Sequence, residues 1–323
     1  MSDTFADALT ARALHLITRT GARRVAILGF TPAALGVARN LRAAGLGPCV
    51  LGLFAEAPLH VHEIDLRALD ELPALEPDLL IVGDDANKAE LLLAYRERAC
   101  ERTPLPAVAL AGTAHLQYRD SQFAEIDAPA LVPSYATGSP NTKIHLFQCL
   151  KAAAANDLRG AIVEFGAFKG GTTAWLARAA QRLGLKDCPV IGLDSWTGFP
   201  ARRSVLDLYE HPRCVFSDFD AVRAYTEPFG IELIAGDISE TYGQLEGRPL
   251  LLCFFDTDNY SPTRLALELA SRQLVPGGAI VFDHVATTAE YIDTLGERIA
   301  AFEVLEPAGF LHLHDTGVFV KLR

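Results

Sequence analysis

The chain has 323 residues, of which 50% are hydrophobic and 21% charged, with a net charge of −11. That length allows two domains, and the composition excludes an extended disordered chain. The negative balance, with no basic run against it, excludes a nucleic-acid partner held by bulk electrostatics. Six cysteines at 49, 100, 149, 188, 214 and 253 form no C-x-x-C pair. They read as reduced, mostly core thiols rather than a zinc site or disulfide frame. The first residues carry no basic, apolar leader pattern, and no stretch reaches membrane-span length. A cytoplasmic, homo-oligomeric protein with no membrane partner is the expectation.

Residues 4–19 have the apolar spacing of an amphipathic helix, with Phe5, Leu9, Ala13 and Leu16 on one side. Arg24–Phe30 reads as a strand, and a helix follows from Pro32 to Ala44. Further strands are expected at Cys49–Phe54, Pro77–Asp85 and Pro106–Ala111, with a helix from Asn87 to Arg98. Alternation at this spacing implies a small parallel sheet, a Rossmann-like α/β domain over 1–117. Its first turn, Gly29-Phe30-Thr31-Pro32-Ala33-Ala34, keeps only the first glycine of a dinucleotide fingerprint. Glu56, Asp84 and Asp85 stand as either ribose contacts or solvated strand-end acids.

Residues 118–140 lose periodicity and carry Pro129, Pro133 and Gly138-Ser139-Pro140, the marks of a linker. Tyr135 and Thr137 lie close enough in sequence to the next strand to fold over a ligand. From Asn141 to Ala155 a helix is expected. A second α/β domain fills 141–323. Its parallel strands are expected at Ala161–Phe165, Val190–Asp194, Ile231–Ala235, Leu250–Phe255 and Ala279–Phe282, and an antiparallel hairpin spans 310–322. Helices are expected from Ser217 or Asp218 through Tyr225, from Pro262 to Leu274 and over 287–300, with Pro276-Gly277-Gly278 as a turn.

The chemistry concentrates at the ends of these strands. Ile162–Thr173 reads as a buried strand, a glycine turn and a helix start. Its pattern is E-x-G-x-x-x-G-G from Glu164 to Gly171, not G-x-G-x-x-G. Glu164, Asp194, Asp237, the pair Asp256 and Asp258, and Asp283 each close one strand. In an open parallel sheet that edge binds ligands. Crowded carboxylates repel unless something positive sits among them. A cationic sulfonium ligand and a divalent ion would both serve. Asp194 is placed to accept from ribose hydroxyls and Asp237 from an adenine amino group. Asp256, Asp258 and Asp283 are hard oxygen donors suited to Mg²⁺ or Mn²⁺. His284 is a ligand, an outer partner of one, a base or a plain strand-end histidine.

Five segments, in order, resemble the macrocin/mycinamicin/novobiocin O-methyltransferase family over about 134–322. They are Val163–Gly171, Leu193–Pro200 (with Trp196 where the family has Phe), Gly236–Thr241, Asp256–Thr263 and Leu274–Asp283. The resemblance implies a class I S-adenosylmethionine-dependent methyltransferase fold and methyl transfer to a hydroxyl of a sugar or natural product. It implies cofactor contacts among Glu164, Gly166, Phe168, Gly170, Gly171, Thr172, Asp194, Ser195, Asp237, Ile238 and Asp256. It implies Asp258 as general base, with Asp256, Asp283 and His284 around Mg²⁺ or Mn²⁺. His284 stands where the family often has a second acid, so it is both a metal candidate and a catalytic one. The insert 197–216, flanked by Trp196 and carrying Arg202, Arg203, Tyr209, His211 and Arg213, reads as a lid over an anionic or sugar-bearing acceptor, or as a solvated loop. Two rivals stand beside this reading: a nucleotide- or nucleotide-sugar-binding oxidoreductase or bifunctional protein built on the first domain, and an S-adenosylmethionine-binding module without turnover.

Overall fold

The two central apolar runs, at 25–28 and 161–165, each become the middle of a separate sheet. The computed structural model describes residues 2–57, 59–61, 64–99, 105–285 and 292–323. The chain divides into compact units at Met1–Tyr118 and Arg119–Arg323. Cys100 and the beginning of the helix expected over 287–300 lie outside the described residues. Cys49, Cys149, Cys188, Cys214 and Cys253 are free thiols. No helix among the described residues is long and apolar enough to cross a membrane.

In the first unit, helix α1 (Ser2–Thr20) precedes β1 (Val25–Leu28), whose four residues are all buried. Helix α2 (Pro32–Ala43) starts on a proline and is capped by Thr31, which accepts the Ala34 N–H at 3.1 Å. Strands β2 (Val50–Ala55), β3 (Leu59–Val61), β4 (Ile64–Ala68), β5 (Leu79–Val82) and β6 (Ala107–Ala109) complete a sheet of order β3-β4-β2-β1-β5-β6, with α3 at Lys88–Arg98. The β3–β4 hairpin was not expected. Its alternation, with Leu59 and Val61, then Ile64 and Leu66, separated by His60 and Asp65, is the signal that marks it.

The carboxyl edge of this sheet is filled by its own side chains. Lys88 is buried, lies 2.7 Å from Asp85 Oδ1, and donates to the carbonyls of Ala111 and Gly112. Asp84 accepts from the N–H groups of Ala86 and Asn87, and Glu56 pairs with Arg98. The three acids weighed as ribose contacts are therefore all engaged locally.

The second unit begins with a short helix, α4 (Ser121–Ile126), capped by Asp120, within the stretch expected as linker. Then come α5 (Thr142–Ala155), β7 (Ala161–Phe165), α6 (Gly171–Arg182), β8 (Val190–Asp194), α7 (Phe219–Thr226), β9 (Glu232–Ala235), α8 (Ile238–Thr241), β10 (Leu250–Phe255), α9 (Tyr260–Gln273), β11 (Leu274–Phe282), α10 (Leu295–Leu305), β12 (Phe310–His312) and β13 (Val318–Lys321). The order is β12-β13-β11-β10-β7-β8-β9, parallel from β11 to β9 with the terminal hairpin antiparallel. Pro276-Gly277-Gly278 does not end a helix-to-strand turn as expected. It lies inside β11, where the register against β10 jumps from Leu250–Leu274 to Leu252–Ala279. A side chain at Gly278 would stand 2.7 Å from the Leu251 carbonyl, so the glycine lets this bulge close.

One face of the sheet carries Val163, Phe165, Cys253, Phe255, Ile280 and Phe282 in a single core. The rings of Phe165 and Phe255 stack at 4.4 Å, and those of Phe255 and Phe282 at 5.3 Å. Each ring immediately precedes a site residue: Gly166, Asp256 and Asp283. This stacked row sets the three strand ends at a common height.

Candidate active site

The order of strands reverses at β7, and the loops there open onto a cavity of about 710 Å³. Gly166 lines it at φ +95°, and a Cβ there would lie 2.1 Å from the Asp256 carbonyl oxygen. Only glycine allows the β7 and β10 ends to approach this closely. Asp194 stitches two turns together, its Oδ2 accepting the Phe168 N–H at 2.8 Å and its Oδ1 the Trp196 N–H at 3.1 Å. Phe168 and Trp196 both sit near φ +48°, uncommon for bulky residues, and the shared carboxylate holds them there. Burial raises the Asp194 pKa despite these bonds.

Of the expected cofactor contacts, Gly166, Phe168, Asp194, Ser195, Asp237, Ile238 and Asp256 line the cavity. Glu164, Gly170, Gly171 and Thr172 stand behind its wall. Glu164 is buried on the opposite face of β7 and accepts the Thr173 hydroxyl of α6. Burial raises its pKa well above the carboxylate range, with Asp256 and Asp194 adding to the rise. Thr172 Oγ1 takes the Tyr135 N–H at 3.2 Å and lies 3.0 Å from Ser134 Oγ. Asp237 caps α8 through Ser239 N–H, and its Oδ2 receives Arg203 at 2.8 Å. An adenine amino group at Asp237 would share that oxygen with Arg203.

Residues 133–138, expected as linker, form part of the site. Asp283 Oδ2 accepts the N–H groups of Thr137 at 3.0 Å and Gly138 at 2.6 Å. Gly138 packs so closely that a Cβ would lie 2.2 Å from His284 Nδ1 and 2.8 Å from Asp283 Oδ2. Tyr135 and Thr137 line the cavity.

His284 Nε2 lies 3.0 Å from Asp258 Oδ1, 3.3 Å from Asp256 Oδ1 and 3.7 Å from Asp283 Oδ2. The geometry groups Asp258, rather than Asp283, with Asp256 and His284 as donors that one ion could share. Asp283 gives its nearer oxygen to the 137–138 backbone instead. Burial opposes charge on His284, but the carboxylates of Asp256 and Asp258, followed by Glu297, outweigh it and push its pKa to about 12. Burial raises Asp256 and Asp258, and lifts Asp283 to about 7 with the Asp256 charge adding to it.

Asp258 adopts φ +62°, a strained conformation for an aspartate. The turn around it is held on every side. Asn259 N–H donates to the Thr257 carbonyl at 2.7 Å. Thr257 N–H donates to Glu297 Oε1 at 3.2 Å, and the Thr257 hydroxyl meets that of Thr263. Sequence reasoning missed Glu297, which is fully buried on α10. A glutamate one helical turn from apolar Ile299, Ala300 and Ala301 was the available signal.

Burial raises the Glu297 pKa well above 4.5, opposed by His284 and reinforced by Asp258. A carboxyl with a raised folded pKa takes up a proton on folding. Its contribution to stability is full below its unfolded pKa and is lost as pH rises through the folded one, at about 1.4 kcal/mol per pH unit. Glu297→Gln keeps an acceptor for Thr257 and removes the titration. The variant should therefore gain thermal stability over the parent at pH 8, with the gain shrinking toward pH 5. A stability difference that does not change with pH counts against a protonated Glu297.

The insert is bolted to this turn. Asp207 accepts the N–H groups of Arg203, Ser204 and Ser261 and the Ser261 hydroxyl, all at 2.8–2.9 Å. Tyr209 N–H donates to Asn259 Oδ1, and Asn259 Nδ2 donates to the Tyr209 carbonyl, both at 2.9 Å. The segment is thus tied to this turn and lines the cavity, while most of its side chains also face solvent. His211 is spent locally, accepting the Arg213 N–H.

Residues 163–285 match a family model described as a methyltransferase domain. The chain is 27% identical over 188 residues to the 8-demethyl-8-(2,3-dimethoxy-alpha-L-rhamnosyl)-tetracenomycin-C 4'-O-methyltransferase of Streptomyces olivaceus, covering 54% of this chain and 70% of that one. Among solved structures, the O-methyltransferase NovP is similar at 16% identity and a TM-score of 0.47, over 56% of this chain and 79% of that one. The calicheamicin methyltransferase CalS11 is similar at 18% identity and a TM-score of 0.45, over 66% and 98%.

Proposed function

We propose, from the premise that the chain is a class I S-adenosylmethionine-dependent O-methyltransferase, that it methylates a hydroxyl on a sugar unit of a small molecule. The observation that carries this reading is the single cavity shared by the β7 glycine turn, Asp194 and the Asp256–Asp258–His284 cluster. Its acidic floor suits a sulfonium, and its volume lies within the range of small-molecule sites, roughly 300–1,000 Å³. The relative from Streptomyces olivaceus acts on a rhamnosyl group, which makes deoxysugar hydroxyls the first acceptors to try.

S-adenosylmethionine supplies the electrophilic methyl group. Gly166 and Asp194 would seat it, with Asp237 at the adenine end. Asp258 would take the acceptor's proton. Its pKa, raised by burial, makes it a stronger base than an exposed aspartate. The stacked phenylalanines and the bolted turn would hold acceptor and donor in line, which is most of what such a transfer needs. The 133–138 segment lines one side of the cavity.

Two carboxylates and an imidazole fit a divalent ion, and with a nitrogen in the set Mn²⁺ fits better than Mg²⁺. Asp256, His284 and one oxygen of Asp258 would hold it, leaving the other Asp258 oxygen to take the proton, and the ion would supply charge that lowers the pKa of the acceptor hydroxyl. Binding it requires His284 to give up its proton. Chelation with EDTA should lower turnover at least about tenfold, with Mn²⁺ restoring it at lower concentration than Mg²⁺. Turnover indifferent to EDTA would leave His284 as the only cation in the cluster.

The reading as a whole is tested by calorimetry with S-adenosylhomocysteine and by methyl transfer to rhamnosides. A protein that does not bind S-adenosylhomocysteine is not this enzyme.

A further inference from the structure

We infer that Glu297 is a positioning residue for the transfer: by its reach rather than its charge, it sets the turn that carries Asp258. This rests on the methyltransferase reading and adds to it a support placed behind the cavity wall.

Three consecutive residues in the first turn of α10 each meet a different segment around the cavity. Gly296 packs against the insert, where a Cβ would lie 2.2 Å from the Leu206 carbonyl oxygen and 3.0 Å from the Tyr260 backbone nitrogen. Glu297 Oε1 accepts the Thr257 N–H at 3.2 Å and lies 3.4 Å from the Thr257 hydroxyl oxygen. Arg298 donates to the carbonyl of Val285, the residue after His284. Asp207, Thr257 and His284, at or beside these contacts, all line the cavity. One helical turn therefore ties together the insert, the Asp258 turn and the end of β11.

Glu297 is the fully buried member of the three that holds the catalytic turn. The N–H it receives belongs to the peptide between Asp256 and Thr257, which leads directly into Asp258 at φ +62°. On the far side the Thr263 hydroxyl donates to the Asn259 carbonyl at 2.5 Å. The turn is thus gripped from α10 and from α9. A buried N–H that loses its acceptor is costly, so the turn would move to find another. Asp258 Oδ1 stands 3.0 Å from His284 Nε2, and a shift of the turn is read at that contact.

Reach and charge can be separated. Burial favours the neutral form of Glu297, and its Oε2 has no hydrogen-bond partner among the described residues. Glutamine has the same length and offers the same acceptor without charge. Aspartate keeps the charge and is one methylene shorter. A role through charge would act on His284, whose protonated form Glu297 also favours.

The test compares Glu297→Gln and Glu297→Asp in the full chain, by crystal structure and by turnover of a rhamnoside that the parent methylates. Glu297→Gln should keep the Asp258–His284 contact and a kcat near the parent's. Glu297→Asp should break that contact and lower kcat roughly 10²-fold, the effect of a displacement of about 1 Å, with S-adenosylhomocysteine affinity unchanged. Where Glu297→Asp does not fold, Glu297→Leu, of similar size and with no acceptor, takes its place with the same expected outcome. A turn that does not move in the shortened or apolar variant overturns the inference, and the crystal structures decide this without any acceptor. So does a Glu297→Gln enzyme that loses as much turnover as Glu297→Asp. Failure of the parent to bind S-adenosylhomocysteine overturns the methyltransferase reading instead.

Discussion

Asp258→Asn is expected to lower kcat by about 10²–10⁴-fold, the usual worth of a positioned general base. S-adenosylhomocysteine affinity and melting temperature should stay near those of the parent. The amide matches the carboxylate in shape, so the left-handed turn survives, and asparagine tolerates that conformation better than most residues. Oδ1 can still accept from His284. What disappears is the proton acceptor. The pH profile separates this from a merely structural loss. If Asp258 is the base, the parent's kcat/KM rises with pH through one ionisation at the acidic side, and the variant loses that limb. An unchanged kcat would remove Asp258 from the chemistry.

Gly138→Ala should be nearly as damaging, although Gly138 lies outside every motif. A Cβ there would meet the His284 ring at 2.2 Å and Asp283 Oδ2 at 2.8 Å. The backbone cannot retreat without breaking the 2.6 Å bond from Gly138 N–H to Asp283. Either His284 rotates away from Asp256 and Asp258, or the segment lifts from the cavity. A displacement of about 1 Å at such a site costs about 10²-fold in rate. Overpacking adds about 1–3 kcal/mol of instability. Turnover and metal response should fall together, and Ser139→Ala, one residue on, should leave both near the parent. A fully active Gly138→Ala would show that His284 has room to move.

The sheet of the second unit and its acid-tipped strands were legible because each strand is a short apolar run closed by a charged residue, and the glycines fix where the chain turns. Asp194, Asp256, Asp258 and His284, which line the cavity, stand at the ends of such runs. Gly138 and Glu297 do not. A glycine in a proline-containing, aperiodic stretch signals a linker, and its contact with His284 spans 146 residues of chain. Glu297 shares a stripe of α10 with Ala300 and Ala301, but a glutamate reads by default as an exposed position, and the packing of α10 on α9 turns it inward. The roles of Glu164 and Thr172 were misplaced for a related reason. Motif spacing tells which turn a residue belongs to, not which face of the strand it occupies, and Glu164 faces α6.

The bolts between the insert and the turn that carries Asp258 bear on how the lining of the cavity can change. Asn259 follows Asp258 directly, and the Tyr209 backbone rests on its side chain. Ser261 is anchored by Asp207 in the same way. Exchanging the insert for that of a relative would therefore disturb the turn that carries Asp258, even where every acceptor contact is improved. New acceptor preferences should arise in this scaffold by point changes at Leu208, Arg213 or Val215, which spare the bolts. Wholesale grafts of 197–216 should succeed only when Asp207 and the Tyr209–Asn259 pair travel with them. The insert and the Asp258 turn are mechanically linked, so change in one is constrained by the other.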